Sequence, residues 1–344
     1  MQVHRFEFTG NVKEYFGIWI VNLLLSIITI GIYTAWAKVR RVRYFYANTY
    51  LDGHNFEYHA SPKAILIGRI IVFGILVGFQ ILVQFKPEAG LLFIPFLFVF
   101  PWIINRAIRF NARVTSYRNI RFNFAGTYWR AFLVFIVMPV VAILTLGILA
   151  PVASRMSSNY IGNNLRYGSA QFSTDAPLGL LYRNWGGSLG ILIIGTAIIA
   201  GIGFAIITLT TGSNLNNLGN MDDLGYLPLI PFALVILANF IVPFYKAGVR
   251  NIAYNSTTLE GGHGFNSNLG RLKYVWILFS NLFATILTIG MLRPWAAIRS
   301  WRYQIEHTSL EAGSDLGSFI EQREREGAAA SSEFLDIEGV DFGL

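Results

Sequence analysis

Cysteine is absent from this chain of 344 residues. That removes disulfides, thiolate chemistry and cysteine-based metal sites, and it leaves the redox compartment unreadable. Charge is scarce too. Asp, Glu, Lys and Arg make up 13% of the residues, where a soluble domain carries about 25%. No carboxylate lies within the apolar runs, so no intramembrane acid pair or proton relay is on offer. The five histidines, His4, His54, His59, His263 and His307, show no metal-ligand spacing within a helix. A glycine-rich phosphate loop between strand and helix is missing, and so is any Ser/His/Asp grouping. These absences point away from an enzyme, with no cofactor and no metal expected.

What the chain has is apolar length. Hydrophobic residues make up 54% of it and the mean hydropathy is +0.49. Seven apolar segments stand out, at about 15–36, 64–85, 90–105, 128–150, 188–210, 227–245 and 274–292, several near the 20 residues a membrane helix needs. The composition predicts an all-α polytopic membrane protein. The net charge of +8 hides an asymmetry: residues 311–344 sum to −7, so the remainder carries +15. Those basic residues sit between apolar runs. They therefore suit topology setting and anionic lipid headgroups as partners, rather than nucleic acid.

The runs also repeat. Ile28-Thr29-Ile30-Gly31-Ile32 returns as Leu144-Thr145-Leu146-Gly147-Ile148 and as Leu287-Thr288-Ile289-Gly290-Met291. An offset of 116 aligns Phe8 with Phe124, Gly10 with Gly126, Tyr44 with Tyr160 and Phe56 with Phe172, without a gap. An offset of 259 aligns Asn22 with Asn281, Trp36 with Trp295, Arg40 with Arg299 and Arg43 with Arg302. The organisation read from this is a first membrane repeat over 1–115, a second over 116–255, a partial third over 256–310 and an acidic, disordered tail over 311–344. The recurrence also disposes of Ala35-Trp36-Ala37 as a signal cleavage site, since the same segment recurs internally.

Each repeated Thr-x-Gly reads as a helix break. Gly31, Gly147 and Gly290 suit the residue just past a helix end, and Pro151 and Pro294 suit the first turn of the next helix. Ala35 holds the proline position in the first copy. Beyond each second helix come hairpin signals. Asp52-Gly53 lies between Thr49-Tyr50-Leu51 and Asn55-Phe56-Glu57-Tyr58, and Glu260-Gly261-Gly262 lies between Thr257-Thr258-Leu259 and Phe265. Phe6–Phe8 and Arg121–Phe124 are further strand-like pieces. Short β-hairpins are expected on the cytoplasmic face, pairing with one another because isolated hairpins are marginal.

Charge chooses between two topologies. If all seven segments span, lysines and arginines split 14 to 10. If segments one, four and seven enter and leave on one side, the split is 23 to 1, with Lys86 alone outside. The positive-inside rule favours this re-entrant arrangement.

The string Phe8-Thr9-Gly10, Tyr15-Phe16, Trp19, Asn22-Leu23, Thr29-Ile30-Gly31-Ile32-Tyr33, Trp36-Ala37-Lys38-Val39-Arg40, Asn48-Thr49, Asp52-Gly53 and Phe56 resembles the YjgN family of bacterial inner-membrane proteins. The resemblance covers nearly all of residues 1–310. It implies a multi-pass protein of the bacterial cytoplasmic membrane and carries no functional residues with it. The second copy departs from the pattern at Val152, Met156 and Asn159.

The candidate site residues are arginines: Arg40, Arg43, Arg106, Arg109, Arg299 and Arg302, in three pairs spaced i, i+3 on a helix face, with Arg69 deeper in segment two. Two readings stand side by side, snorkelling topology anchors and a site for lipid phosphate or a small anionic solute. Trp36 and Trp295 suit an interfacial belt, and Asn22 and Asn281 suit interhelical hydrogen bonding. The functional expectation is binding or transport of a lipid or small anionic solute, against the alternative of a structural or regulatory scaffold. Oligomeric state is not legible.

Overall fold

A computed structural model describes residues 2–86, 88, 93–211 and 229–326. Asp222, Asp223 and the tail beyond residue 326 lie outside the described residues.

The all-α expectation is overturned. Ten short strands close into an antiparallel barrel in which sequence neighbours are spatial neighbours and the last strand pairs with the first. The strands are β1 (Gln2–Phe8), β2 (Thr49–Leu51), β3 (His54–Tyr58), β4 (Thr115–Tyr117), β5 (Ile120–Phe124), β6 (Leu165–Tyr167), β7 (Ala170–Thr174), β8 (Thr257–Leu259), β9 (His263–Ser267) and β10 (Thr308–Ala312). Most are too short to stand alone. Closure removes every free edge, which is what stabilises them.

Helices join the hairpins in pairs: α1 (Val12–Ile28) with α2 (Thr34–Ala47), α3 (Pro62–Phe85) with α4 (Phe93–Arg113), α5 (Tyr128–Phe132) and α6 (Met138–Leu144) with α7 (Ala150–Asn164), α8 (Leu178–Thr211) with α9 (Leu229–Asn255), and α10 (Arg271–Leu287) with α11 (Arg293–Glu306). A π-helical turn over Leu133–Val137 joins α5 to α6 in one continuous helix. It precedes Pro139, whose missing N–H breaks the regular ladder there. Both ends of every pair run into barrel strands.

The structural repeat is therefore a helix–hairpin–helix unit present five times, the fifth formed by α11, β10, β1 and α1 across the two chain ends. Three features recur. Fourteen residues before each hairpin's first strand residue stands Ala35, Pro101, Pro151, Pro243 or Pro294. Six residues before it stands Arg43, Arg109, Asn159, Asn251 or Arg302, and each clamps the chain leaving the hairpin. Arg43 donates to the Tyr58 carbonyl (3.4 Å), Arg109 to those of Phe124 and Gly126 (3.1 Å each), and Arg302 to that of Gly10 (2.8 Å). Asn159 accepts from the Ala176 amide (3.0 Å). Asn251 bonds both the amide and the carbonyl of Leu269 (3.0 and 2.9 Å). Two residues before each exit strand ends stands a phenylalanine: Phe6, Phe56, Phe122, Phe172 and Phe265.

Three of the helix pairs are short and share one tip. In each, two consecutive residues take positive φ: Ile30 and Gly31, Leu146 and Gly147, Ile289 and Gly290. The threonine before them bonds back to its own helix (Thr29 to the Leu25 carbonyl, 2.7 Å) and accepts from the first turn of the next (the Tyr33 amide, 3.0 Å). Thr145 and Thr288 do the same. So the motif turns the chain, with threonine serving both helices. Glycine is not alone in the left-handed region, because an aliphatic residue shares it. The other two pairs are long. Pro62–Phe85, Leu178–Ile206 and Pro231–Asn255 are long and apolar enough to cross a membrane.

The tail also needs correction. Glu311 and Ala312 lie in β10, and 316–326 form a helix. Leu316, Phe319 and Ile320, spaced i, i+3, i+4, pack into the barrel against Leu51, Tyr117, Phe172 and Leu259. A Ser/Gly/Glu-rich composition hid that stripe. Asp315 caps the helix by accepting from the Ser318 amide (2.8 Å).

Candidate ligand site in the barrel lumen

The strand register stacks one lumen layer without exception. Phe6 faces Leu51, Phe56 faces Tyr117, Phe122 faces Tyr167, Phe172 faces Leu259 and Phe265 faces Leu310. Side chains alternate across a strand, so one inward residue per strand makes a ring of ten, all apolar or aromatic. Ring centroids lie 6.1 Å apart for Phe6 and Phe56, 6.4 Å for Phe122 and Phe172, and 5.8 Å for Phe172 and Phe265. The two tyrosines turn their hydroxyls away to backbone: Tyr117 donates to the Leu51 carbonyl (2.6 Å) and Tyr167 to the Tyr117 carbonyl (3.0 Å). Burial pushes the Tyr117 hydroxyl up to about 12 and raises that of Tyr167 as well. Both rings are therefore neutral at physiological pH and present apolar faces.

This ring encloses a cavity of about 580 Å³, within the size range of small-molecule sites. One end is stoppered by Leu316, Phe319 and Ile320. The other is walled by Ser158, Ile161 and Gly162 of α7, by Lys246, Val249, Arg250, Ala253 and Tyr254 of α9, and by Ile305 of α11. Arg250 donates to Thr308 Oγ1 (2.8 Å), to the Gln304 carbonyl (3.4 Å) and to Ser267 Oγ, and its guanidinium lies 4.4 Å over the Tyr254 ring. It ties α9 to the barrel rim.

The stopper is pinned from outside. Arg323 pairs with Glu260 Oε1 (3.1 Å) and Glu326 Oε2 (2.9 Å), and Phe319 stacks edge-on against His263 at 4.5 Å. His263 is fully buried and its Nδ1 has no hydrogen-bond partner among the described residues. Burial, then the neighbouring His4, lowers its affinity for a proton.

The seven arginines singled out from sequence do not converge, and none lines this cavity. Arg43, Arg109 and Arg302 are the clamps described above. Arg40 donates to Asn22 Oδ1 (3.4 Å) and Tyr33 Oη (3.1 Å). Its counterpart Arg299 donates to Asn281 Oδ1 (3.1 Å) and Ser280 Oγ (2.6 Å). The asparagine and arginine thus join the two helices of a pair, and the second repeat, with Met138 and Met156 at those places, lacks both partners together. Arg106 lies 5.3 Å over Trp102, as Arg299 lies 5.0 Å over Trp295. Arg69 donates to Thr34 Oγ1 (2.6 Å), tying α3 to α2. Arg299 and Arg302 border a separate hollow of about 240 Å³ with Trp295 and Glu306.

Sequence reading passed over Lys246 and Arg250, which look like any other topology charge, and over the phenylalanine ring. A readable signal existed for the unit itself: Pro101-Trp102 with Arg106 and Arg109 repeats Pro294-Trp295 with Arg299 and Arg302.

A family model described as "Bacterial protein of unknown function (DUF898)" matches residues 3–337. The chain belongs to that family. Over 356 aligned residues it is 24% identical to the "Inner membrane protein YjgN" of Salmonella typhimurium strain LT2, covering 91% of this chain and 89% of that one. Proteins of the same name from Escherichia coli O157:H7 and K12 are 31% and 32% identical over 145 residues, 40% of this chain and 36% of theirs. The resemblance read from Phe8 to Phe56 is thereby upheld. No solved structure matches.

Proposed function

We propose that this is a multi-pass protein of the bacterial inner membrane that binds the apolar chain of a membrane lipid in its barrel lumen, as a carrier or transporter and not as an enzyme. The observation that carries the reading is the cavity. It is apolar, of ligand size, and continuous with the feet of helices that suit a bilayer. The relatives' name supports the location.

The tips support the topology. Ile30, Leu146 and Ile289 are 92–95% exposed in left-handed backbone, a conformation that costs a non-glycine residue of order 1–3 kcal/mol. An aliphatic side chain at the outermost point of a hairpin is favourable in hydrocarbon. With the barrel on the cytoplasmic face, a 17-residue α1 reaches about 26 Å, short of the roughly 30 Å core. The short pairs then re-enter, and the long pairs cross.

A lumen-filling variant tests the binding claim. Ala253→Trp is expected to abolish displacement of a bound polarity-sensitive dye by long-chain lipids while leaving helix content unchanged. Equal lipid binding by wild type and Ala253→Trp removes the lumen as the site.

A further inference from the structure

The five units are alike at the level of Phe ring, proline and clamp, but unlike at one place on the cavity wall. The position of Arg250 is held by Val42, Ile108, Ser158 and Trp301 in the other units, and that of Lys246 by Lys38, Ile104, Ser154 and Ala297. Among the described residues only α9 supplies cations to the lining, and no carboxylate lines the cavity. The two residues lie one helical turn apart, about 6 Å along α9. Arg250 bonds Ser267 and Thr308, the rim layer next to the aromatic ring, so Lys246 stands one turn further from the barrel. Arg250 is committed to three protein acceptors and a tyrosine face. Lys246 is exposed and makes no hydrogen bond or ion pair with a described residue.

An ammonium without a counter-ion among the described residues, beyond the rim of an apolar cavity whose described lining holds no carboxylate, is an anion receiver, and an aromatic lumen is a chain receiver. Resting on the lumen reading above, we propose that the ligand is a single-chain anionic amphiphile, its hydrocarbon along the Phe6–Phe265 ring and its carboxylate or phosphate head on the Lys246 ammonium. One chain fits the geometry, because the ring of ten side chains encloses one lumen with a single cationic side.

The test uses the full chain in nanodiscs of neutral lipid at pH 8, with a lumen-bound apolar dye displaced by four sixteen-carbon probes: hexadecanoate, hexadecyl phosphate, hexadecanol and hexadecyltrimethylammonium. Wild type is expected to bind the two anions about tenfold or more tighter than the alcohol, as a charge-assisted contact allows, with the cation weakest. The tighter of the two anions identifies the head group. Lys246→Gln is expected to bring both anions down to the alcohol's affinity, and Lys246→Arg to restore the preference. An anion preference that survives in Lys246→Gln overturns this proposal while leaving the lumen reading intact. Failure of the alcohol to displace the dye from wild type, or equal displacement from Ala253→Trp, overturns the lumen reading and this proposal with it.

Discussion

The short helix pairs and the long ones share a foot and differ in their tips. At the foot all five keep a proline or alanine, buried at Ala35, Pro101, Pro151 and Pro294 and half-buried at Pro243, with a clamp residue and a lumen phenylalanine. At the tip the short pairs turn on Thr-x-Gly with an exposed aliphatic residue, whereas in the long pairs Pro62–Phe85, Leu178–Ile206 and Pro231–Asn255 continue as apolar helices of spanning length. The conserved chemistry of the foot is what a closed barrel demands, since each hairpin must enter the ring at the same height for its phenylalanine to join the layer. The tip is free to vary because it touches nothing in the barrel. The tips recur three times in the sequence and carry the offsets with them, aligning feet such as Phe56 with Phe172 and Arg43 with Arg302, whereas the feet of the long pairs' other ends recur without a shared tip.

Substitutions at the clamp test whether the five feet are equivalent. Asn251→Ala deletes bonds to Leu269 and Ser267 and is expected to destabilise by about 3 kcal/mol, read from denaturant unfolding in detergent. Arg109→Ala, losing two carbonyl contacts, follows at about 2 kcal/mol, and Arg43→Ala, with one contact at 3.4 Å, at about 1 kcal/mol. Equal costs at all three would mean that the clamps act through their shared place in the unit and not through their individual bonds.

The tips are separated by a charge. On the proposed topology Ile30→Asp places a carboxylate in hydrocarbon and is expected to cost about 3 kcal/mol of membrane insertion. Glu88→Gln, in the connection between α3 and α4, is expected to change nothing measurable. Similar tolerance at both positions would put the short tips in water. At the turn itself, Gly31→Ala forces a Cβ into φ +87° and should lower stability by about 1 kcal/mol, while Gly17→Ala, with open space around it, should be neutral or mildly stabilising.

The smallest expected effect concerns the stopper. Because burial lowers the His263 pKa, the folded state resists the proton that the opened state accepts near pH 6.5. The stability contributed by a neutral His263 is present above that pH and is lost progressively below it, toward the depressed folded value. The protection factors of amides 316–320, corrected for the intrinsic pH dependence of exchange, are expected to fall between pH 7.5 and 5.5 in wild type and to lose most of that dependence in His263→Phe. The helix pairs should show no such change.

Local signals were legible and closure was not. Asp52-Gly53 announced its hairpin because both residues take positive φ, and Thr-x-Gly announced its turn. Leu165-Arg166-Tyr167 and Ala170–Thr174 carry little strand signal, being short and flanked by asparagines that read as loop. Pro101 and Pro243 sit inside apolar runs, where they read as kinks and not as the counterparts of Pro151 and Pro294. The pairing of β1 with β10 joins residues some 300 positions apart, which no local pattern encodes. At the site, the aromatic ring was visible only as scattered phenylalanines, since it takes the register to bring them to one height. Lys246 and Arg250 gain meaning only once α9 is set over the lumen.

The absence of cysteine makes the central claim, a closed barrel, directly testable. Val3 and Glu311 are register partners across the β1–β10 seam, at the separation of antiparallel neighbours that a disulfide can bridge. In the otherwise thiol-free chain, Val3→Cys with Glu311→Cys should oxidise to an intramolecular crosslink as readily as the within-hairpin pair Tyr50→Cys with Asn55→Cys. Crosslinking of the hairpin pair without any at the seam would contradict closure, and with it the lumen on which the ligand site depends.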